Sequence, residues 1–159
     1  MAEPEAILNH IEAHMLQSMP LYGKTVLITA GPTYEAIDPV RFIGNHSSGL
    51  MGFEIANHAA QLGAEVLYIT GPTHYKTDHS RIKTIPVVSA EEMYSQVHTY
   101  FKSVDIAILS AAVADYKPKN TATSKIKKNS QTLSLELEKT KDILASLGTL
   151  KSHQLLVGF

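Results

Sequence analysis

Short apolar runs alternate with amphipathic stretches along most of this sequence, and this alternation constrains the fold more than any other feature. The strand-like runs, which are rich in β-branched residues, cover residues 24–30, 64–70, 81–88, 105–112 and 154–159. Apolar residues at helical spacing mark residues 4–18, 49–63 and 89–102. Strands that are apolar on both faces are typical of parallel sheets covered by helices. The sequence therefore predicts an α/β, Rossmann-like fold with an open, mainly parallel sheet, helices on both faces, and ligands beyond the carboxyl ends of the strands.

The composition narrows the class of protein further. With 159 residues, of which 44% are hydrophobic and 18% charged, the chain suits one globular domain. Its formal net charge of -1 gives no overall attraction for nucleic acid or for an anionic membrane surface. The lack of cysteine excludes disulfides, thiolate nucleophiles and Cys-ligated zinc. The first residues lack the basic and apolar regions of a signal peptide, so we expect a cytoplasmic protein. From the near-zero net charge we expect neither a nucleic-acid nor a membrane partner.

Residues 113–138 interrupt the alternation and are interpreted as a flap. A lysine-rich polar loop comes first, and no acidic residue lies between Tyr116 and Gln131 to balance it. Its lysines are Lys117, Lys119, Lys125, Lys127 and Lys128. In the stretch TLSLELE that follows, leucines alternate with polar residues as in a half-exposed strand. The local positive charge predicts an anion-binding flap, although a charge run is also typical of a solvated face.

The long loop that follows the first strand is a second candidate for anion binding. Ser47, Ser48 and Gly49 lie where a helix is predicted to begin, so small side chains, backbone N–H groups and the positive end of the helix dipole coincide there. This arrangement suits the phosphate or carboxylate of a substrate. It also fits an ordinary serine N-cap.

Two further polar residues of this loop would lie above the carboxyl edge of the sheet. Arg41 offers a planar cationic group suited to a carboxylate or phosphate, and the amide of Asn45 can both donate and accept hydrogen bonds. Asp38 precedes a proline and is interpreted as the cap of a turn.

The known nucleotide fingerprints do not fit this loop. Leu50 and Met51 stand where the Lys and Ser/Thr of a Walker A motif would be, and GxGxxG is absent. The second strand ends in Thr70 and Gly71, not in the acid that would hold a ribose diol. A nicotinamide cofactor is therefore disfavoured, and an NAD(P)-dependent oxidoreductase remains only as an alternative.

The ends of the later strands add candidates at the same edge. Small residues such as Ala112 follow the fourth strand, which would let a base or sugar approach the backbone, and Asp115 could hold a ribose hydroxyl or phosphate-borne magnesium, or be a solvated loop acid. Thr140 is predicted to cap another helix, with Asp142 in its first turn. Phe159 could stack on a base or lie in the core.

Taken together, these segments resemble a known family. The chain is similar to the phosphopantothenoylcysteine synthetase (phosphopantothenate–cysteine ligase) domain of bacterial coenzyme A biosynthesis, through AGPTYEAIDPVRFIGNHSSGLMG, AAVADYKP, SKIKK, DIL and the terminal VGF, in the family's order. The resemblance implies a ligase that joins 4'-phosphopantothenate to L-cysteine through an acyl-cytidylate, converting CTP to CMP and pyrophosphate. Mg²⁺ would arrive with the CTP.

The resemblance also implies roles for individual residues. Asn45 would act on the acyl-cytidylate, Arg41 would support the phosphopantothenate side, and Lys125 would be the catalytic lysine of the flap. Lys141 stands where many members of the family carry proline. The positions that match the family's nucleotide-binding residues are Leu109, Ser110, Ala111, Asp115, Lys125, Lys141, Asp142, Ile143, Leu144 and Phe159.

The resemblance has consequences for domain organisation. Residues 1–20 are similar to the linker that follows a flavin-dependent decarboxylase domain, so FMN would belong to that upstream domain and not to this sequence. Residues 21–159 would be the nucleotide-binding ligase domain, truncated at its C-terminus and poorly active alone. A homodimer is expected. A nucleotide-binding regulatory module is the non-enzymatic alternative.

Overall fold

The structure is a computed structural model that describes residues 3–127 and 131–159. The strands in this part of the chain are β1 (Thr25–Ala30), β2 (Tyr34–Ala36), β3 (Phe42–Gly44), β4 (Glu65–Thr70), β5 (Ile82–Pro86), β6 (Ile106–Leu109), β7 (Tyr116–Pro118), β8 (Leu137–Lys139) and β9 (Leu155–Gly158). The helices are α1 (Pro4–Gln17), α2 (Leu50–Gln61), α3 (Ala90–Phe101) and α4 (Ile143–Leu150).

The central sheet is parallel and has the order β5-β4-β1-β6-β9. The chain builds outward from β1 through β4 to β5, then returns to place β6 on the free side of β1. In open parallel sheets, such a reversal of strand order leaves a crevice at the carboxyl ends of the two diverging strands. The predicted α/β, Rossmann-like fold is confirmed, and its topology directs attention to the ends of β1 and β6.

Two apolar clusters cover the two faces of the sheet. In β1, Val26 and Ile28 belong to the cluster beneath α2, whereas Leu27 belongs to the cluster beneath α3 and α4. All three are buried, at 0 to 1% exposure. Because successive side chains of a strand point to opposite faces, a strand buried on both sides must be continuously apolar, which is the pattern from which the strands were predicted.

Helix α2 lies unusually close to β1. A Cβ added at Gly52 would stand 2.4 Å from the Cβ of Ala30 and 2.8 Å from the Ser110 hydroxyl. Buried alanines, Ala56 and Ala60, continue the same helix face. Small residues thus allow the helix backbone to approach the strand and hold the helix start near the sheet's carboxyl edge.

Helix α3 begins with an N-terminal cap formed by Ser89 and Glu92. The Ser89 hydroxyl accepts from the backbone N–H of Glu92 at 3.2 Å, and the Glu92 carboxylate accepts from the backbone N–H of Val88 at 2.7 Å. A second carboxylate, that of buried Glu35 on β2, accepts from the backbone N–H of Ala90 at 2.8 Å. The start of α3 is therefore tied to the loop that follows β1.

Two short antiparallel pairs, β2–β3 and β7–β8, were not predicted as pairs from the sequence. The half-exposed strand expected over TLSLELE is correct only at its end, where β8 forms. Leu133, Leu135 and Leu137 are all exposed, at 37 to 53%. The alternation of these leucines therefore does not produce a buried face.

Helix α1 forms as its apolar spacing predicts, but no residue in it is buried. The side chains of Ile7, Leu8, Ile11 and Met15 are 48 to 59% exposed. Among the described residues, every helix is too short or too polar to cross a bilayer.

Two glycine-to-alanine substitutions test the close packing of α2. Gly52→Ala should destabilise the fold by about 1–3 kcal/mol, because the added methyl group has no space. The control is Gly148→Ala in α4, where a Cβ would meet nothing within 4 Å. That variant should gain about 0.5–1 kcal/mol from helix propensity. Urea unfolding measures both, and equal effects would contradict the close approach of α2.

Candidate functional site

A cavity of about 570 Å³ opens at the carboxyl ends of β1, β6 and β9, where the topology predicts a ligand site. Its volume lies within the range of small-molecule sites. The cavity is lined by Thr29, Leu109, Ala111, Val113, Asp115, Tyr116, Lys139, Thr140, Lys141, Asp142, Ile143, Leu144, Gly158 and Phe159. Of the predicted nucleotide-binding residues, this set contains all except Ser110 and Lys125.

Ser110 lies beside the cavity and connects two of the strands that end there, β1 and β6. Its hydroxyl donates to the carbonyl of Thr29 at 2.6 Å, and the Thr29 hydroxyl accepts from the backbone N–H of Ala111 at 3.3 Å. The backbone N–H of Ala112 donates to the carbonyl of Gly31 at 2.9 Å. Ser110 and Ala112, both predicted to contact ligand, thus join the exits of β1 and β6.

Helix α4 begins at the cavity wall, and its cap differs from the one predicted. The Asp142 carboxylate accepts from the backbone N–H of Ala145 at 2.8 Å, which makes Asp142 the N-cap. Thr140 does not cap the helix, because its hydroxyl donates instead to the carbonyl of Ala114 at 2.7 Å. The backbone N–H of Thr140 also donates to the carbonyl of Asp115, at 2.9 Å. Thr140 therefore joins the segment after β6 to the approach of α4.

The cations at the cavity rim differ in how far they are already neutralised. Lys141 Nζ lies 2.6 Å from the Glu91 carboxylate and 4.8 Å from the centre of the Tyr94 ring. The hydrogen bond between Lys141 and Glu91 raises the pKa of Lys141 and lowers the pKa of Glu91. Lys139 has no ion pair among the described residues, so it is the less neutralised cation lining the cavity.

The sequence predicted no role for four of the lining residues, Thr29, Val113, Tyr116 and Lys139. Thr140 was expected at this edge, but as a helix cap. The available signal for lining residues was their position at the exits of β1, β6 and β9, because strand ends in a parallel sheet meet at one edge. Lys139 also lies only two residues before Lys141, which was predicted to bind the nucleotide.

The loop after β1 reaches the cavity through Asn45. Its side-chain amide donates to the carbonyl of Val113, a lining residue, at 3.0 Å. The hydroxyls of Ser47 and Ser48 accept from the backbone N–H groups of Gly49 and Leu50, at 3.2 and 3.3 Å. In this structure the serines therefore satisfy the N–H groups that were expected to meet a phosphate or carboxylate.

Arg41, predicted to contact substrate, lies against protein groups. Its guanidinium forms an ion pair with buried Asp38 and donates to the carbonyl of Ile126 at 3.1 Å. The carboxylate of Asp38 accepts from the backbone N–H groups of Val40 and Arg41, both at 2.9 Å, so its interpretation as a turn cap is confirmed.

The flap lysines fall into two groups. Lys117 and Lys119 pair with Glu138 and Glu136, at 3.5 and 2.7 Å, so acids from beyond the loop partly balance its charge. Lys125 and Lys127 are exposed and have no ion pair within residues 3–127 and 131–159, while Lys128 lies outside the described residues. The prediction of five unbalanced charges was therefore too high.

The acidic groups of the site do not form a protein metal cage. In the part of the chain that the structure describes, no three His, Asp or Glu side chains come together as metal ligands. Asp115 is an exposed carboxylate lining the cavity. Such a group suits a metal ion that a bound ligand carries with it.

Comparison with known proteins identifies the family. The model of the DNA/pantothenate metabolism flavoprotein C-terminal domain (DFP) matches residues 21–159. The chain belongs to this family. The match includes the loop after β1, the flap and every residue that lines the cavity.

Two curated relatives are similar over the full chain. The coenzyme A biosynthesis bifunctional protein CoaBC of Bacillus subtilis (strain 168) is 48% identical over 159 residues, which cover 99% of this chain and 39% of that protein. The CoaBC of Vibrio cholerae serotype O1 is 48% identical over 162 residues, covering 100% of this chain and 40% of that protein. The chain thus spans about two fifths of the relatives it matches.

A solved structure extends the similarity to the fold. The crystal structure of the C-terminal domain of coenzyme A biosynthesis bifunctional protein CoaBC superposes with a TM-score of 0.76 and 47% sequence identity. The matched region covers 87% of this chain and 65% of that one. These similarities do not favour the NAD(P)-dependent oxidoreductase.

The cap of α4 can be tested separately from the charge of Asp142. Asp142→Ala should lower the free energy of unfolding by about 1 kcal/mol, because the N–H of Ala145 loses its acceptor. Asp142→Asn keeps a side-chain oxygen of equal capping strength and should be nearly neutral. Urea unfolding of the three proteins decides the matter. Equal losses in both variants would show that Asp142 does not cap the helix through its side-chain oxygen.

Proposed function

We propose that this chain carries the phosphopantothenate–cysteine ligase activity of coenzyme A biosynthesis, with CTP as the nucleotide. The supporting observation is the junction at Val113, where the nucleotide-sized cavity meets the loop that carries Asn45. Two substrates can therefore lie side by side, one in the cavity and one over the loop. The names of the CoaBC relatives support the same pathway.

In the first step, a carboxylate oxygen of 4'-phosphopantothenate attacks the α-phosphorus of CTP. The bond from that phosphorus to the bridging oxygen breaks, and pyrophosphate leaves with the bonding electrons. This step needs two anions brought together and the charge on the phosphate oxygens stabilised. Lys125 and Lys139 are cations without ion pairs among the described residues, which suits them to this role.

In the second step, the amine of L-cysteine attacks the acyl carbon of the acyl-cytidylate. A C–N bond forms, the C–O bond to CMP breaks, and the amine releases a proton to solvent. Neither step requires a protein nucleophile, in agreement with a chain that contains no cysteine. The amide of Asn45 is suited to hold the acyl oxygen, since it is already directed at the cavity wall.

The nucleotide would lie in the cavity with its base towards the β9 end. Phe159 lines the cavity there, which suits its ring to stack on a base. Mg²⁺ would enter as part of the Mg–CTP substrate, with Asp115 beside it. We further propose a cytoplasmic homodimer, in which the flavin-dependent decarboxylase domain and its FMN belong to another part of a bifunctional polypeptide.

Pyrophosphate release provides the test. With CTP, Mg²⁺ and 4'-phosphopantothenate, the polypeptide extended through the rest of its reading frame should release pyrophosphate faster with CTP than with ATP. Lys125→Gln should reduce the rate by about 10²-fold, a typical cost of removing one group that stabilises transition-state charge.

The matched control for Lys125 is Lys102→Gln. Lys102 is an exposed lysine directly after the last residue of α3, Phe101. The carbonyl of Phe101 accepts from the side-chain amide of Gln154, which lies just before β9. Lys102 is therefore at the amino ends of the strands, on the edge of the sheet opposite the cavity. It should leave the rate unchanged. A folded extended protein that binds CTP without releasing pyrophosphate would refute the ligase and favour a nucleotide-binding regulatory module.

Lys139 gives a prediction about binding. Lys139→Gln should raise the KM for CTP about tenfold and change kcat little, because it removes a charge-assisted contact that substrate and transition state share. Steady-state kinetics over a range of CTP concentrations measures both constants, again with Lys102→Gln as the control. An unchanged KM would exclude Lys139 from the nucleotide site.

A further inference from the structure

The turn between β2 and β3 contains a carboxylate that does more than cap the turn. Asp38 is 2% exposed, and its Oδ1 accepts from the backbone N–H groups of Val40 and Arg41. The turn is also closed by the backbone N–H of Ile37, which donates to the carbonyl of Arg41 at 2.8 Å. These bonds involve only one of the two carboxylate oxygens, so the turn does not account for the other.

The second oxygen, Oδ2, is directed at the flap. It accepts from the guanidinium of Arg41 and from the backbone N–H of Ile126 at 3.1 Å. Arg41 Nη2 in turn donates to the carbonyl of Ile126, also at 3.1 Å. The ion pair therefore binds both backbone polar groups of a single flap residue, and the Arg41 guanidinium holds the pKa of Asp38 well below its usual range.

The flap contacts the same turn at two more places. The hydroxyl of Thr121 donates to the carbonyl of Ala36 at 3.1 Å, and the backbone N–H of Ala122 donates to the carbonyl of Ile37 at 3.0 Å. The flap thus lies along the turn from residue 121 to residue 126. Lys125, whose side chain is exposed, precedes Ile126 directly.

We propose that Asp38 and Arg41 form a latch that fixes the flap at Ile126 and thereby positions Lys125. The attachment holds the peptide that joins Lys125 to Ile126 at its N–H and the next peptide at its carbonyl. Asp38 is a positioning residue, because it acts on substrate only through the flap. The existence of the latch is independent of the proposed ligase activity, and only its consequence for Lys125 rests on that function.

Amide hydrogen exchange on the unsubstituted protein is the first test. If the latch exists, the N–H of Ile126 exchanges at least tenfold more slowly than an unprotected amide of the same sequence, because its hydrogen bond must open first. Exchange of Ile126 at the unprotected rate would refute the latch. This measurement requires no variant and no substrate.

Limited trypsin digestion tests the role of the carboxylate. Cleavage of the Lys125–Ile126 bond requires that peptide to leave the latch, so its rate follows the opening equilibrium. Asp38→Asn should raise that rate by about tenfold, because the neutral side chain loses the ion pair and directs an amide N–H group at other donors. Mass spectrometry of the fragments reports the bond cleaved.

The matched control is Glu65→Gln, which removes the ion pair between Glu65 and Arg81, at 2.6 Å, from the far end of β4. It should leave Lys125–Ile126 cleavage unchanged. Equal cleavage rates in Asp38→Asn and the unsubstituted protein would overturn the proposal. If Asp38→Asn does not fold, the exchange rate of Ile126 still decides whether the latch exists.

Kinetics distinguishes positioning from a general loss of structure. In an active extended protein, Asp38→Asn should lower kcat for pyrophosphate release with little change in the KM for CTP. Combined with Lys125→Gln, it should cause no further loss, because both substitutions remove the same contribution. Additive losses would overturn the link to Lys125. If no pyrophosphate is released at all, the ligase proposal fails, while exchange and digestion still decide the latch.

Discussion

The pairing of β1 on both sides is the constraint on which the rest of the structure depends. It bonds in parallel to β4 along one edge and to β6 along the other, and both its faces are buried. The loop after β1 and the exit of β6 therefore start side by side, which brings Asn45 to Val113 and Thr29 to Ser110. The cavity opens at this edge, where the strand order reverses and the β6 exit meets the start of α4 and the end of β9.

The strands of the central sheet could be predicted from their apolar, β-branched runs, and burial on both faces explains these runs best in β1 and β4. The pairs β2–β3 and β7–β8 could not, since each strand has only three residues, too few to show a periodic pattern. The leucines of TLSLELE do alternate, but their alternation is a local property, whereas burial requires a second layer.

The candidate site shows the same division between local and long-range information. The strand exits and their motifs were sufficient to locate the cavity, and Asp115 and Asp142 do line it. The partners of individual side chains were not predictable. Arg41 donates to Ile126, 85 residues away, and Lys141 pairs with Glu91, 50 residues away. The local spacing of residues does not predict contacts over such distances. The cap of α4 shifted from Thr140 to Asp142 because Thr140 has another acceptor in Ala114.

The position of β1 also has a consequence for how the chain is made. Ribosomal synthesis proceeds from the N-terminus, so β4 becomes available to β1 long before β6, whose exit residue Ser110 lies 81 residues after Thr29. During that interval β1 carries a row of unsatisfied N–H and C=O groups along one edge. An unpaired, apolar strand edge is a template for pairing with another chain. The nascent half-sheet is therefore a stage at which this protein is exposed to aggregation and to capture by chaperones.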